Sequence, residues 1–546
     1  DLRNWVDDWN AHPKPFVWTK TAEEIISKLG RLCERISRSG HYDVVVAGGG
    51  PVGLLLAGEL ERGGARVLVL EREAEPPRSR AGSMGARSLN MPSVHALHLR
   101  GLLPAVERAA AMWLGSVPAS PPPSAAGEPI FVGQFAGIAI RADRLRSPAP
   151  GEEFLGAGVI AQADLEAIFR DALGDVEVRR GTALTGFAAD AGGVTVRFGH
   201  DEVRAGWLVG ADGGRSTVRR LAGFAFPGVD PIFTGRQAVV DLDAPEKLTA
   251  GGWQHGEHGS YVVGGWADGG GPPRVHTVEY EVPPADRDAP VTAAEMQASL
   301  RRVSGTDVVV TRVHVGTRYA DTTRQATTYR RGRVLLCGDA AHVHSPAGGQ
   351  GLNLGLGDAV NLGWKLALVA RGHAPESLLD TYTAERHPIG EWVQRWSLAQ
   401  TALIETRGPR TAALREVLAD LLDTPDGATH VVSSIAGGWQ HYDLPGDHPL
   451  IGHRAPDLPL DDGTTLASHF REGHAVLLDA GTGVATAAEE WGSRVRVVRA
   501  RPLAYADQPL AALVRPDGYV AWIAVGAADE EGLRAAMTRW LGQAGR

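Results

Sequence analysis

Hydrophobic and polar positions change period several times along the chain. Asp43 to Ala47 is a short β-branched run, a Gly-rich turn follows, Gly53 to Arg62 has helical spacing, and Ala65 to Leu70 is a second apolar run ending in Glu71. This reads as strand, turn, helix, strand. Val/Thr alternation broken by glycines, from about Ala225 to Tyr319, predicts a β-rich middle. Arg333 to Cys337 reads as another buried strand. Gly351 to Arg371 is a long helix, with Leu352, Leu356, Ala359, Leu362, Leu366 and Val369 on one face and Gly372 as its stop. Helices continue to about Leu421, Asp423 to Gly446 reads as a linker, and short strands alternate with helices from Pro449 onward. Asp1 to Gly40 differ in character: a polar helical pattern carrying Trp5, Trp9 and Trp18, which breaks sharply at Tyr42-Asp43-Val44.

These breaks divide the 546 residues into an N-terminal extension (1–40), a nucleotide-binding unit in two parts (41–223 and 320–422), a sheet-rich middle unit between them (224–319), the linker (423–446) and a small C-terminal α/β unit (447–546). A net charge of −9 gives no global attraction to nucleic acid or an anionic membrane. The two cysteines, Cys33 and Cys337, cannot form a disulfide framework, a CxxC pair or a cysteine zinc site. No apolar stretch reaches the ~18 residues of a membrane span, and no secretory signal precedes the first strand, so a cytoplasmic protein is expected.

The first chemical signal is Gly48-Gly49-Gly50-Pro51-Val52-Gly53. After a strand and at the start of a helix, G-x-G-x-x-G is a dinucleotide fingerprint. Gly48 serves the tight turn, Gly50 lets a pyrophosphate approach the backbone, Gly53 allows close helix–strand packing, and the helix N-terminus attracts the anion. Glu71, with Arg72 beside it, stands where a carboxylate accepts from ribose hydroxyls and repels a 2′-phosphate. This site should take FAD or NAD, not NADP. Two further signals are Leu208-Val209-Gly210-Ala211-Asp212-Gly213 and Gly338-Asp339-Ala340-Ala341-His342, the latter leading into Pro346-Ala347-Gly348-Gly349-Gln350-Gly351-Leu352-Asn353. An NAD dehydrogenase needs neither. His342 and His344 lack a third clustered ligand, so no metal is expected. No Gly-x-Ser-x-Gly elbow suggests a hydrolase.

Together these motifs resemble the single-component flavoprotein monooxygenases of the p-hydroxybenzoate hydroxylase type, most of all the hydroxylases of aromatic polyketides. The resemblance implies an α/β fold: a Rossmann-like FAD-binding domain, an inserted β-sheet substrate domain and a C-terminal thioredoxin-like domain. It places Asp339 at the ribityl chain or ribose, Pro346 to Asn353 beside the flavin with Gly348, Gly349 and Gly351 open to it, and the helix starting at Gly351 toward the N1/O2 edge. It gives Arg80, in Arg80-Ala81-Gly82, and Gln162 contacts with FAD, and Asp212 a role near FAD and the nicotinamide. Asn90 stands where the family often has an acid, and Pro92 is expected to end or kink the local helix. Gly452 to Asp457 and Leu513 to Trp522 resemble the family's thioredoxin-like extension, here without cysteines. Separately, Trp9 to Ala22 and Ser39-Gly40-His41 resemble the C-terminal tail of DDE transposases.

The implied reaction is hydroxylation of a polycyclic aromatic with O₂ and NADPH or NADH through a flavin C4a-hydroperoxide, with no side-chain base assigned. The nicotinamide is a transient co-substrate. Ala238 to Asp241 and Gly264 to Trp266 are expected to line the pocket, above all Val239, Val240 and Trp266. A Baeyer–Villiger oxygenase is the alternative on the same scaffold, and a DNA-associated role is suggested only by residues 1–40. The expected partners are a small aromatic and O₂, with neither nucleic acid nor membrane; a homodimer is compatible with the sequence.

Overall fold

Val44, Val45 and Val46 are fully buried because their strand lies at the centre of a parallel sheet. The computed structural model describes residues 41–116, 131–146, 158–249, 252–264, 272–280, 289–346, 348–404, 408–505 and 510–545; the extension 1–40 and Trp266 fall outside them. The central strand, His41–Ala47, pairs in parallel with Asp201–Gly210 on one side and Val67–Leu70 on the other. Val334–Leu336 and Glu177–Arg179 extend the parallel set outward. Strands covered on both faces need no polar side, hence the continuous apolar runs of the sequence.

The helix Pro51–Arg62 covers this sheet next to the fingerprint turn, and the helix Gly351–Ala370 packs against that helix. They approach closely because small residues face each other. A Cβ on Gly363 would lie 2.3 Å from that of Glu59, and one on Gly355 would lie 2.7 Å from a Val52 methyl.

The middle unit is an antiparallel sheet in the order Gln254–Gly256, Gly259–Gly264, Arg274–Glu279, Thr234–Asp243, Val309–Ala320. The helix Ala293–Ser304 packs Met296, Leu300 and Val303 onto one face, against Ala238, Val240 and Val275. The opposite face is turned toward the rest of the protein. The C-terminal unit is a four-stranded sheet in the order Val495–Val498, Ala475–Ala480, Leu510–Val514, Val520–Val525, with the helix Glu530–Leu541 packed on it. Among the described residues no helix is long and apolar enough to cross a membrane.

Two expectations are corrected. Pro92 starts a helix instead of breaking one. It sits in the first turn of Met91–Leu99, where a proline removes no intrahelical bond, and the Asn90 side chain caps that turn by accepting from the Ser93 N–H at 3.2 Å. The supposed linker holds a helix, Pro425–Ala436, capped by Thr424; Ala428 and Val431 are buried against Phe135 and Leu403.

Buried charge joins the C-terminal unit to the nucleotide-binding unit. Arg515 donates to Glu385 at 2.9 and 2.8 Å and to Asp517 at 3.0 Å, while Lys365 donates to Glu385 at 2.9 Å. Nearby, Arg100 grips both oxygens of Glu59 at 2.7 and 2.6 Å and donates to the carbonyls of Phe470 and Pro516. Burial pulls the Lys365 ammonium down to about 8, whereas the neighbouring cations hold Glu385 at about 2 against the effect of burial. Removing one member strands the others in a dry interface, at a typical cost of about 3–5 kcal/mol. Arg515→Met is therefore expected to lower urea-unfolding stability by about that amount. An unchanged urea midpoint would mean that the cluster does not tie the two units together.

Candidate active site

The three fingerprint glycines do different work. Gly48 has φ +112°, and a Cβ there would lie 2.2 Å from the Ala211 carbonyl oxygen. A Cβ on Gly53 would lie 2.0 Å from the Gly48 carbonyl oxygen. Gly50 differs: its φ of −76° suits any residue, and nothing lies within 4 Å of the Cβ it lacks. The open space is in front of the helix Pro51–Arg62, whose N-terminus has neither a side-chain cap nor an acidic residue in its first turn. A backbone cradle with unclaimed N–H groups fits a pyrophosphate. Glu71 is buried at the end of its strand. It accepts from the Gly49 N–H at 2.7 Å and the Glu73 N–H at 2.9 Å, fixing the loop while leaving lone pairs for a ribose. Arg72 is not drawn in: its side chain is 66% exposed and pairs with Glu73.

The other motifs converge here. Gly338, at φ +64°, lies against Val52 of the fingerprint helix; a Cβ would meet its methyls at 3.2 and 3.3 Å. Next to it, Asp339 is exposed and near Gly351. The helix beginning at Gly351 also lacks a side-chain cap and an acidic first turn. Before it, Gly348 and Gly349 take φ +90° and +65°, and the end of the Gln400 side chain lies 2.5 Å from where a Gly348 Cβ would be. Two uncapped helix N-termini, joined through Val52 and Gly338 and flanked by glycines, fit a molecule with a pyrophosphate at one end and an electron-rich ring edge at the other, as in FAD.

Arg80 and Gln162, far apart in sequence, meet on the buried Glu166 at 3.0 and 2.9 Å. Asp212 lies beside the fingerprint turn, its N 3.0 Å from where a Gly48 Cβ would be. Its carboxylate Oδ2 accepts from the N–H groups of Thr217 and Val218 at 2.7 and 3.1 Å at the start of the helix Thr217–Leu221, and Oδ1 accepts from the hydroxyl of Ser216, the residue that caps that helix. Asn353 is also committed: it accepts from the Asn90 N–H and the Ser93 hydroxyl and donates to the Ser88 and Gly349 carbonyls. It ties the glycine loop to the turn before Met91.

Below this surface lies Asp358, fully buried. It accepts from the Gly338 N–H at 3.1 Å, from Arg386 Nε at 2.8 Å, and shares a 2.6 Å bond with His342 Nε2. Burial would raise its carboxyl, but His342 and Arg386 hold it below its ordinary value.

A cavity of about 180 Å³ lies between the free face of the middle sheet and the loop Ser345-Pro346-Gly348. Phe233, Trp253, His255, His276 and Tyr319 line it, with Gln134 from a separate hairpin. Of the expected lining residues, Trp266 lies outside the described residues, and Val239 and Val240 are not among those that line this cavity. Val240 points to the opposite side of its strand and is fully buried under the helix, because successive strand residues face opposite ways. Val239 is half-buried on the same strand and does not line the cavity. The larger cleft, near Asp479 and Arg501, belongs to the C-terminal unit and contains no fingerprint residue.

The sequence reading missed His276 and Tyr319. Their signal was the period of two: His276 and Val278 share one face of their strand, and Tyr319 lies on the neighbouring sheet edge. Arg87 was missed as well. Burial lowers its guanidinium, with Asp339 opposing and Arg80 adding to the effect, which places all three in one electrostatic neighbourhood.

Residues 41–397 match the FAD binding domain family and residues 448–544 the aromatic-ring hydroxylase C-terminal family. The chain is 40% identical to the 12-dehydrotetracycline 5-monooxygenase/anhydrotetracycline 6-monooxygenase of Streptomyces rimosus, over 92% of this chain and 99% of that protein. The structure of the OxyS anhydrotetracycline hydroxylase from Streptomyces rimosus aligns with a TM-score of 0.77 at 37% identity, covering 92% of this chain and all of that one (100%). CabE, an aromatic hydroxylase from angucycline biosynthesis, aligns with a TM-score of 0.77 at 34% identity, covering 92% and 99%.

Two outcomes are expected from this geometry. Gly50→Ala has the conformation and the room to fold normally, yet its methyl occupies the space a pyrophosphate needs. Purified variant should show wild-type thermal stability once both proteins are stripped of cofactor, and FAD affinity reduced at least about ten-fold, as for a lost charged hydrogen bond; equal FAD affinity would refute the cradle. The second concerns acid. Burial, helped by the Arg274 charge, lowers His276 from 6.5 to about 3. Between those values the unfolded chain binds a proton that the folded one refuses. Stability therefore falls as pH falls, by up to about 1.4 kcal/mol per pH unit from this residue. His276→Gln should flatten the profile of urea midpoint against pH below about 6.5, leaving the slope from His95, which is likewise lowered, to about 4.

Proposed function

Since the chain belongs to the FAD-dependent aromatic-ring hydroxylases, we propose that it hydroxylates a polycyclic, polyketide-type aromatic, using O₂ and NADPH or NADH. The observation that carries this reading is the cavity between the middle sheet and the glycine loop. Its lining is aromatic with a few placed polar groups, as suits a flat oxygenated ring system. The tetracycline and angucycline hydroxylases it resembles point to the same substrate class.

FAD, when bound, supplies redox chemistry with the nicotinamide and O₂; one oxygen atom goes to the ring and the other leaves as water, with the nicotinamide providing two electrons. The protein's share is placement. The N-terminus of Pro51–Arg62 and the open backbone at Gly50 hold the pyrophosphate. Glu71 and Asp339 accept from sugar or ribityl hydroxyls. The uncapped N-terminus at Gly351 turns positive potential toward the ring edge that gains negative charge. Phe233, Trp253 and Tyr319 exclude water from the reacting face. No side chain is assigned as an obligatory base, because a phenolic ring is already electron-rich.

The test is NAD(P)H consumption across a panel of polycyclic phenols, with ¹⁸O₂ labelling and product NMR. The expected product carries one labelled oxygen on an intact aromatic ring, and flavin reduction is faster with substrate present. Equal reduction rates with every aromatic, and hydrogen peroxide as the only product, would remove this reading. A labelled lactone would replace hydroxylation with Baeyer–Villiger oxygenation.

A further inference from the structure

Tyr319 lies across its neighbouring strand on a position without a side chain: a Cβ on Gly235 would sit 2.0 Å from the ring carbon bearing the hydroxyl. That hydroxyl is hydrogen-bonded to His276 Nε2, and both residues line the cavity. The imidazole is fixed from two sides. The Tyr319 ring packs edge-on with centroids 5.2 Å apart, and the Trp253 ring lies 4.9 Å away at 59°. The phenol, raised by burial and by the charge of Asp321, keeps its proton and can donate it to His276 Nε2. His276 stays neutral, because burial and the facing Arg274 charge oppose a second proton. With the phenol donating to Nε2, the one imidazole N–H is on Nδ1, a nitrogen that no hydrogen bond among the described residues engages. This imidazole is thus one of a few polar groups, with Gln134, His255 and Ser345, set among the aromatic rings of the cavity wall.

We propose that His276 is a substrate-positioning and specificity-determining residue: its Nδ1–H donates to a phenolic or keto oxygen of the aromatic substrate, and Tyr319 determines which nitrogen carries that proton. This rests on the reading of the cavity as the substrate site. A donor at a fixed depth also determines which ring carbon faces the reacting edge of the cofactor, so His276 governs regiochemistry as well as affinity. A buried donor left unpaired discriminates against a ligand lacking the oxygen.

The experiment is equilibrium titration of the oxidised, FAD-loaded enzyme with 1-naphthol and with naphthalene, followed by flavin absorbance. Wild type should prefer 1-naphthol. His276→Gln places its amide where Nε2 was, keeps the Tyr319 partner and leaves nothing at Nδ1; the preference should fall about two- to ten-fold. His276→Asn places its amide at the Nδ1 position and should retain the preference. Tyr319→Phe frees the proton to either nitrogen and should lose part of it. FAD content, measured in each variant, separates misfolding from lost recognition, and rescue by asparagine but not glutamine is an outcome that a merely structural histidine does not give. The same preference in wild type and His276→Gln, at full FAD content, overturns the proposal while leaving the cavity as the substrate site. If neither ligand perturbs the wild-type flavin, both the proposal and the reading of the cavity are overturned.

Discussion

Asp358 is a carboxylate shut away from water, and much of the site rests on it. Its acceptors receive the Gly338 N–H, His342 and Arg386, and it stands on the helix that begins at Gly351. One charge therefore sets the turn that carries Asp339, the strand that leads to the glycine loop, the long helix and the helix Asp380–Ile404. Arg386 in turn reaches the Leu354 carbonyl at 2.9 Å and fits only because residue 357 is glycine, where a Cβ would lie 2.6 Å from its guanidinium. Buried charge of this kind adds little net stability compared with an apolar core, but it is costly to break. Its value is in geometry: the elements facing the cofactor cannot shift separately without exposing an unpaired ion to a dry interior.

The same logic appears once more, a helical turn away. Glu385 adjoins Arg386 and receives Arg515 from the C-terminal unit and Lys365 from the long helix. The two clusters lie back to back, so the C-terminal sheet is braced against the helix that carries the cofactor-facing turn. A domain without cysteines in its fold has a physical function here as a buttress.

Legibility followed periodicity and short-range chemistry. The βαβ unit, the Gly351 helix and the glycine triplet could be read because each depends on residues within about one turn of one another. Three kinds of feature could not. Asp212 could be named, but not the Thr217 and Val218 N–H groups that its carboxylate accepts from, local bonds that short polar side chains often make near helix starts. Arg80 and Gln162 could be named, but not their shared partner Glu166, since that contact is tertiary. Val240 was expected in the pocket because apolar character was taken to indicate the cavity face. In a sheet covered by a helix on one side, the apolar face is the core, and Val240 belongs to it. The mixed face, bearing His276 and Tyr319, was the informative one.

That division of the middle sheet has a consequence for how such a protein diversifies. Alternate residues of a single strand serve two independent tasks: one set holds the helix Ala293–Ser304, the other faces the cavity. Substitutions on the ligand side leave the apolar layer untouched, so new substrate shapes can be explored with little loss of foldedness. The sheet works as a replaceable template mounted on a permanent backing, and the steepest constraint on the template side is Gly235, where any side chain would expel the tyrosine ring lying over it.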